Sequence, residues 1–106
     1  MIAIRTPLPQ RRYCETTEVR MPGQRAVFAV TVGRYHDGTI GEVFVSGAKA
    51  GSETEAVARD GAVLLSIALQ YGVPLGAFRT ALTRNLDGSP SSIIGAVVDR
   101  LCRPVR

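Results

Sequence analysis

Two runs of alternating apolar residues on either side of Asp37-Gly38 constrain this chain more than any other feature. The first is Arg25-Ala-Val-Phe-Ala-Val-Thr-Val-Gly-Arg34 and the second is Ile40-Gly-Glu-Val-Phe-Val-Ser46. Alternation with period two, broken by Asp-Gly, is the signature of a β-hairpin. A two-residue turn at Asp37-Gly38 pairs His36 with Thr39, Val32 with Val43 and Val30 with Val45. The valines then share one face with Phe28, which falls opposite Gly47. The other face pairs Tyr35 with Ile40, Gly33 with Glu42 and Thr31 with Phe44. Slipping the register by one residue would move every valine to the wrong side, so the pattern and the turn specify the pairing together.

The hairpin leads into a helix through Gly47-Ala-Lys-Ala-Gly-Ser52. Ser52 is a good N-cap, and Glu55 completes a capping box. The helix is expected to run to about Tyr71, where Gly72 supplies a left-handed stop ahead of Pro74. Ser52, Glu55, Arg59, Ser66 and Gln70 recur at helical spacing and read as one solvent stripe. The remainder is apolar nearly all round, which implies burial on more than one side. Gly61 suits close packing against the sheet.

Around this unit the chain is punctuated simply. Residues 1–11 read as a tail, 12–20 as a strand, and Met21-Pro-Gly-Gln24 as a turn. Pro74 opens a second helix, over 74–84, and a third covers Pro90 to Leu101, with Ser89, Ser91 or Ser92 as its cap. No internal repeat is evident. Strands followed by helices indicate an α+β fold, an antiparallel sheet of about three strands with a central hairpin against about three C-terminal helices. Its 106 residues fit a single domain, placed at 12–103.

Charge and cysteine usage narrow the chemistry. The net charge is +4, and Lys49 is the only lysine beside twelve arginines. Arginine suits bidentate contacts with phosphate or carboxylate. Many of these arginines sit near the ends, at Arg5, Arg11, Arg12, Arg100, Arg103 and Arg106. Such an excess serves solubility or forms a basic patch. Cys14 and Cys102 read as two buried free thiols, and no Cys-X-X-Cys is present. With a single histidine, His36, no zinc site and no catalytic constellation is expected. No apolar run approaches the ~20 residues of a membrane span, and the default location is cytoplasmic.

The loop at 47–52 is the best candidate site. Lys49, Gly51 and Ser52 stand at a helix N-terminus, an arrangement that suits an anion. The competing reading is a turn and a cap. Glu42 either pairs with Lys49 or stands beside Gly33. Tyr35, Ile40 and Phe44, on the less buried sheet face, are candidates for an interface, including a homodimer. The alternative is that another part of the same chain covers them.

Three stretches carry a family resemblance. They are Val32-Gly-Arg-Tyr-His-Asp-Gly-Thr-Ile-Gly-Glu-Val-Phe-Val45, Lys49-Ala-Gly51 and Leu69-Gln-Tyr-Gly-Val-Pro-Leu75. Together they resemble the TSCPD domain, found near the C-terminus of adenosylcobalamin-dependent (class II) ribonucleotide reductases and as short free-standing proteins. The resemblance runs from about residue 25 to about residue 101. Ser91 to Leu101 occupies the place of the family's eponymous segment. Asp99 stands for its terminal aspartate, and the cysteine-proline pair is absent. The catalytic barrel, radical cysteine and redox cysteine pair of such reductases have no counterpart here. The resemblance therefore implies a non-catalytic accessory or interaction domain without a cofactor, whose partner is a ribonucleotide reductase or a nucleotide. A basic nucleic-acid-binding module is the alternative, supported by the arginines around Tyr13.

Overall fold

The computed structural model describes residues 4–21, 23–47 and 51–103. The elements run in the order β1 (Cys14–Arg20), β2 (Val27–Arg34), β3 (Ile40–Ser46), α1 (Glu53–Gln70), α2 (Ala77–Ala81) and α3 (Ile93–Leu101). The three strands form one antiparallel sheet in the order β1-β2-β3. The expected α+β arrangement is thus the observed one.

The register through the body of the hairpin is the one that the alternation specifies. Val30 pairs with Val45, Val32 with Val43, Thr31 with Phe44 and Gly33 with Glu42. The tip differs. Gly38 N–H donates to Tyr35 O and Tyr35 N–H to Thr39 O, so the loop holds three residues, His36, Asp37 and Gly38. The expected pairs His36–Thr39 and Tyr35–Ile40 are replaced; Arg34 pairs with Ile40. The cause is Asp37, whose Oδ1 accepts from both the backbone N–H and the hydroxyl of Thr39. Gly38 follows at φ +90°, a left-handed position that glycine tolerates. The extra residue is absorbed by an irregularity at Gly33/Arg34, which restores the core register.

The same loop occurs a second time. Asn85 to Ser89 carries identical backbone bonds, Gly88 N–H to Asn85 O and Asn85 N–H to Ser89 O. Asp87 Oδ1 likewise accepts from Ser89 N–H and its hydroxyl. In both loops the preceding arginine reaches over the turn, Arg34 to Gly38 O and Arg84 to Gly88 O. Each of these arginines also grips a carboxylate, Glu15 or Asp99. A short repeat, Arg-X-X-Asp-Gly-Ser/Thr, is therefore present at 34–39 and 84–89.

One sheet face is the core. Val19, Phe28, Val30, Val32, Val43 and Val45 meet Ala58, Ala62, Leu65 and Leu69 of α1 and Ile93, Ala96, Val97 and Val98 of α3. Of the three serines expected as caps, Ser92 caps the third helix, accepting from Gly95 N–H at 3.1 Å, so the helix starts at Ile93 rather than near Pro90. The second is shorter than expected, with only Ala77–Ala81 helical.

The orientation of α1 departs most from expectation. Arg59 faces water, but the C-terminal part of the polar stripe does not. Gln70 is buried, and Ser66 is half-buried. Ser66 Oγ accepts from Val43 N–H at 2.8 Å and lies 3.1 Å from Val43 O, while Gln70 Nε2 donates to Gly41 O. As β3 is an edge strand, its outward N–H and C=O groups need partners, and these two side chains supply them. The solvent side of α1 instead carries Val57, Val63 and Leu64, each more than half exposed. The sheet and α3 both cover α1, so burial on more than one side is observed, but this outer side stays open. Gly61 packs against α3 rather than the sheet: a Cβ there would fall 2.6 Å from Ile94 Cγ1.

Residues 5–9 are tied down, unlike the expected tail. Thr6 N–H donates to Gln70 O and accepts at its own carbonyl from Tyr35 Oη. Arg5 Nε donates to Gln70 Oε1 at 2.6 Å. No helix among the described residues is long and apolar enough to cross a membrane.

Candidate functional site

The N-terminus of α1 forms the Ser52 half of the expected capping box, while Glu55 reaches back to Gly51 rather than to Ser52 N–H. Glu55 N–H donates to Ser52 Oγ at 3.1 Å, and Gly51 N–H reaches Glu55 Oε1 at 3.3 Å. Gly51 sits at φ +78°, where its missing Cβ removes strain. Two of the donors that an anion would use therefore already face partners within the chain. Lys49, the third residue expected there, lies outside the described residues.

Of the three interface candidates, Phe44 is exposed by 56%, on the sheet face away from the helices. Tyr35 and Ile40 are half-buried. Tyr35 lies over Gly41, whose added Cβ would meet its ring at 2.5 Å and Leu8 at 2.8 Å. Ile40 packs against the core cluster, a consequence of its pairing with Arg34 rather than Tyr35. Phe44 instead borders a groove of about 640 Å³ between β3 and α1, together with Val63, Ile67, Arg59 and Arg5.

Glu42 pairs with Arg12. The guanidinium Nε donates at 2.6 Å and its second nitrogen at 3.2 Å, a bidentate contact. This bond to Glu42 holds the Arg12 guanidinium proton more firmly than usual. The carboxylate also stands beside Gly33, where a Cβ would fall 2.3 Å from Glu42 Oε1. Arg12 further donates to Pro9 O at 2.8 Å.

The structure gathers basic residues that are distant in sequence. Arg11, Arg12 and Tyr13 lie alongside Arg34, Tyr35, His36 and Gly38 around a cleft of about 620 Å³. The sequence puts Arg11 and Arg12 near one chain end and His36 beside the hairpin turn; only the tertiary fold brings them together. Near the other Asp-Gly loop, Asp99 accepts from Arg84 at 2.9 and 2.7 Å. The bonds from Arg84 hold its carboxyl below the usual carboxylate range.

The cysteines are unlike each other. Cys14 is exposed, contrary to the expectation of two buried thiols, while Cys102 is half-buried and desolvation raises its pKa. Among the described residues no three His, Cys, Asp or Glu side chains converge to hold a metal.

Comparison with known proteins identifies the family. The TSCPD domain model matches residues 5–103, including the anchored N-terminal segment that the expected range of 25–101 left out. A vitamin B12-dependent ribonucleotide reductase of Agrobacterium fabrum is 35% identical over 79 residues, 74% of this chain and 6% of that protein. The corresponding reductase of Bradyrhizobium diazoefficiens is 33% identical over 79 residues, again 74% of this chain and 6% of the relative. That of Rhodopirellula baltica is 39% identical over 71 residues, 67% of this chain and 7% of the relative. The chain thus spans only 6–7% of the length of these relatives. No solved structure matches it. The chain belongs to the TSCPD domain family and is homologous to the C-terminal region of B12-dependent ribonucleotide reductases.

Proposed function

We propose that this chain is a non-catalytic accessory domain that acts in ribonucleotide reduction by docking onto a B12-dependent ribonucleotide reductase. One observation carries the reading: the solvent side of α1 holds an apolar stripe among its charged residues. Val57, Leu64 and Tyr71 repeat at seven-residue spacing and are exposed by 60%, 69% and 44%, with Val63 beside them at 55%. A helix on one side of a sheet normally turns its polar side outward. Here Ser66 and Gln70 face the β3 edge instead, which leaves an apolar stripe for a partner. The occupant follows from the relatives, in which the homologous segment belongs to a much longer reductase chain.

The test is a titration of the purified chain against a B12-dependent reductase, followed by calorimetry. Leu64→Asp and Val57→Asp alter exposed positions and should leave the fold intact. Each is expected to weaken binding by roughly tenfold or more, as for a buried interface anchor. Binding that both variants leave unchanged would remove this face from the proposal.

A second reading places a nucleotide-like anion at Lys49, Gly51 and Ser52. Its support is the helix N-terminus and the positive φ of Gly51. An anion there must displace Glu55 from Gly51 N–H, so Glu55→Gln should strengthen it. Amide shifts at 51–53 that stay fixed in millimolar nucleotide would exclude it.

A further inference from the structure

The cleft at the hairpin tip differs from the N-terminus of α1 in one respect: its basic groups are not all engaged. Arg34 donates to Glu15 at 3.1 and 2.6 Å and to Gly38 O at 2.8 Å. Those bonds fix its guanidinium beside the turn and use three of its five N–H donors. Arg12 is fixed more completely, by Glu42, Pro9 and Gln10. Arg11 and His36 are exposed and make no hydrogen bond or ion pair with a side chain among the described residues. Tyr13 is 65% exposed, while its backbone carbonyl is held by Arg34 N–H. Glu42 and Glu15 engage Arg12 and Arg34, and the neighbouring Asp37 carboxylate is taken up by Thr39, which leaves Arg11 as the unengaged positive charge of the cleft.

This combination selects a ligand class. A pre-positioned arginine with spare donors, a free arginine and an imidazole together suit a phosphate ester. An exposed aromatic ring beside them suits a planar base. The volume, about 620 Å³, lies within the range of small-ligand sites. We infer that the cleft between Arg11–Tyr13 and the β2–β3 turn binds a nucleotide unit, with its phosphate on Arg11 and Arg34 and its base on Tyr13. The unit is either a free nucleotide or one residue of a single strand. None of the cleft residues belongs to the exposed apolar stripe of α1, so this site stands independently of reductase docking.

The test uses the whole chain at low salt, where phosphate contacts are strongest. ATP, inorganic tripolyphosphate and a short oligothymidylate are titrated separately, with affinity from calorimetry and location from amide shifts. Shifts at residues 11–13 and 34–38 with ATP or the oligonucleotide are expected, and the tighter of the two identifies the source. Arg11→Ala and Tyr13→Ala should each weaken binding about fivefold or more, from the loss of one phosphate contact or one stacked base. Arg20→Ala, which removes an equal charge from the far end of β1, should change it less than about twofold. Tripolyphosphate binding as tightly as ATP, with Tyr13→Ala silent, would overturn the inference. So would equal losses from Arg11→Ala and Arg20→Ala, or no shift in the cleft with either nucleotide source.

Discussion

Replacing Ser66 by alanine separates two opposite accounts of α1. Were the polar stripe solvated, the change would stabilise the helix by about 0.5 kcal/mol through alanine's higher propensity. In the structure Ser66 Oγ is the acceptor for Val43 N–H at 2.8 Å on the open edge of β3. Leaving the N–H of the buried Val43 unmatched costs about 1–3 kcal/mol. Subtracting the propensity gain leaves a net loss of about 0.5–2.5 kcal/mol. For a domain of this size each kcal/mol lowers Tm by about 4–8 °C. Urea denaturation should show a lower midpoint with an unchanged slope, since the exposed surface is the same in both proteins. Arg59→Ala, an exposed member of the same stripe, should stay within about 0.5 kcal/mol of wild type. A Ser66→Ala protein as stable as wild type, or more so, would refute the edge-capping role.

Other consequences are equally direct. Arg84 binds Asp99, Arg79 O and Gly88 O, joining α2, the second Asp-Gly loop and α3. Arg84→Met should lower the midpoint of a urea titration, because it breaks the bidentate pair with Asp99 and removes the donor from Arg79 O and Gly88 O at once. Asp99 also sets an acid limit: its native carboxyl holds its proton less readily than the unfolded one, whose ordinary value is 3.8. Its contribution is therefore complete above that pH and is lost as pH falls below it, and Arg84→Met should flatten this acid limb. Gly33→Ala should cost about 1–3 kcal/mol by driving a Cβ into Glu42 and loosening Arg12. With a thiol reagent at neutral pH, Cys14 should react much faster than Cys102, whose thiolate burial disfavours. Equal rates would contradict the exposures.

The hairpin was legible because its alternation and its turn point to one register. The tip was not, because Asp-Gly alone does not distinguish a two-residue loop from a three-residue one. The residue that decides is Thr39, whose N–H and hydroxyl both bind Asp37. Comparing Arg34-Tyr-His-Asp-Gly-Thr39 with Arg84-Asn-Leu-Asp-Gly-Ser89 would have exposed both the loop type and the repeat. The polarity of the α1 stripe was legible too, but not what it faces. Period 3.6 marks a polar side without revealing that an edge strand lies opposite with unpaired backbone groups. The basic cleft is harder still, since it joins Arg11 to His36 through the packing of the N-terminal segment on the sheet. No local pattern in either segment encodes that meeting.

Docking through α1 is tested most directly by amide spectra of the chain with and without a B12-dependent ribonucleotide reductase. Resonances of Val57, Val63, Leu64 and Tyr71 are expected to broaden selectively on addition of the reductase, and Leu64→Asp to abolish the effect. Spectra that stay unchanged at reductase concentrations well above micromolar, or broadening confined to residues off this face, would contradict it.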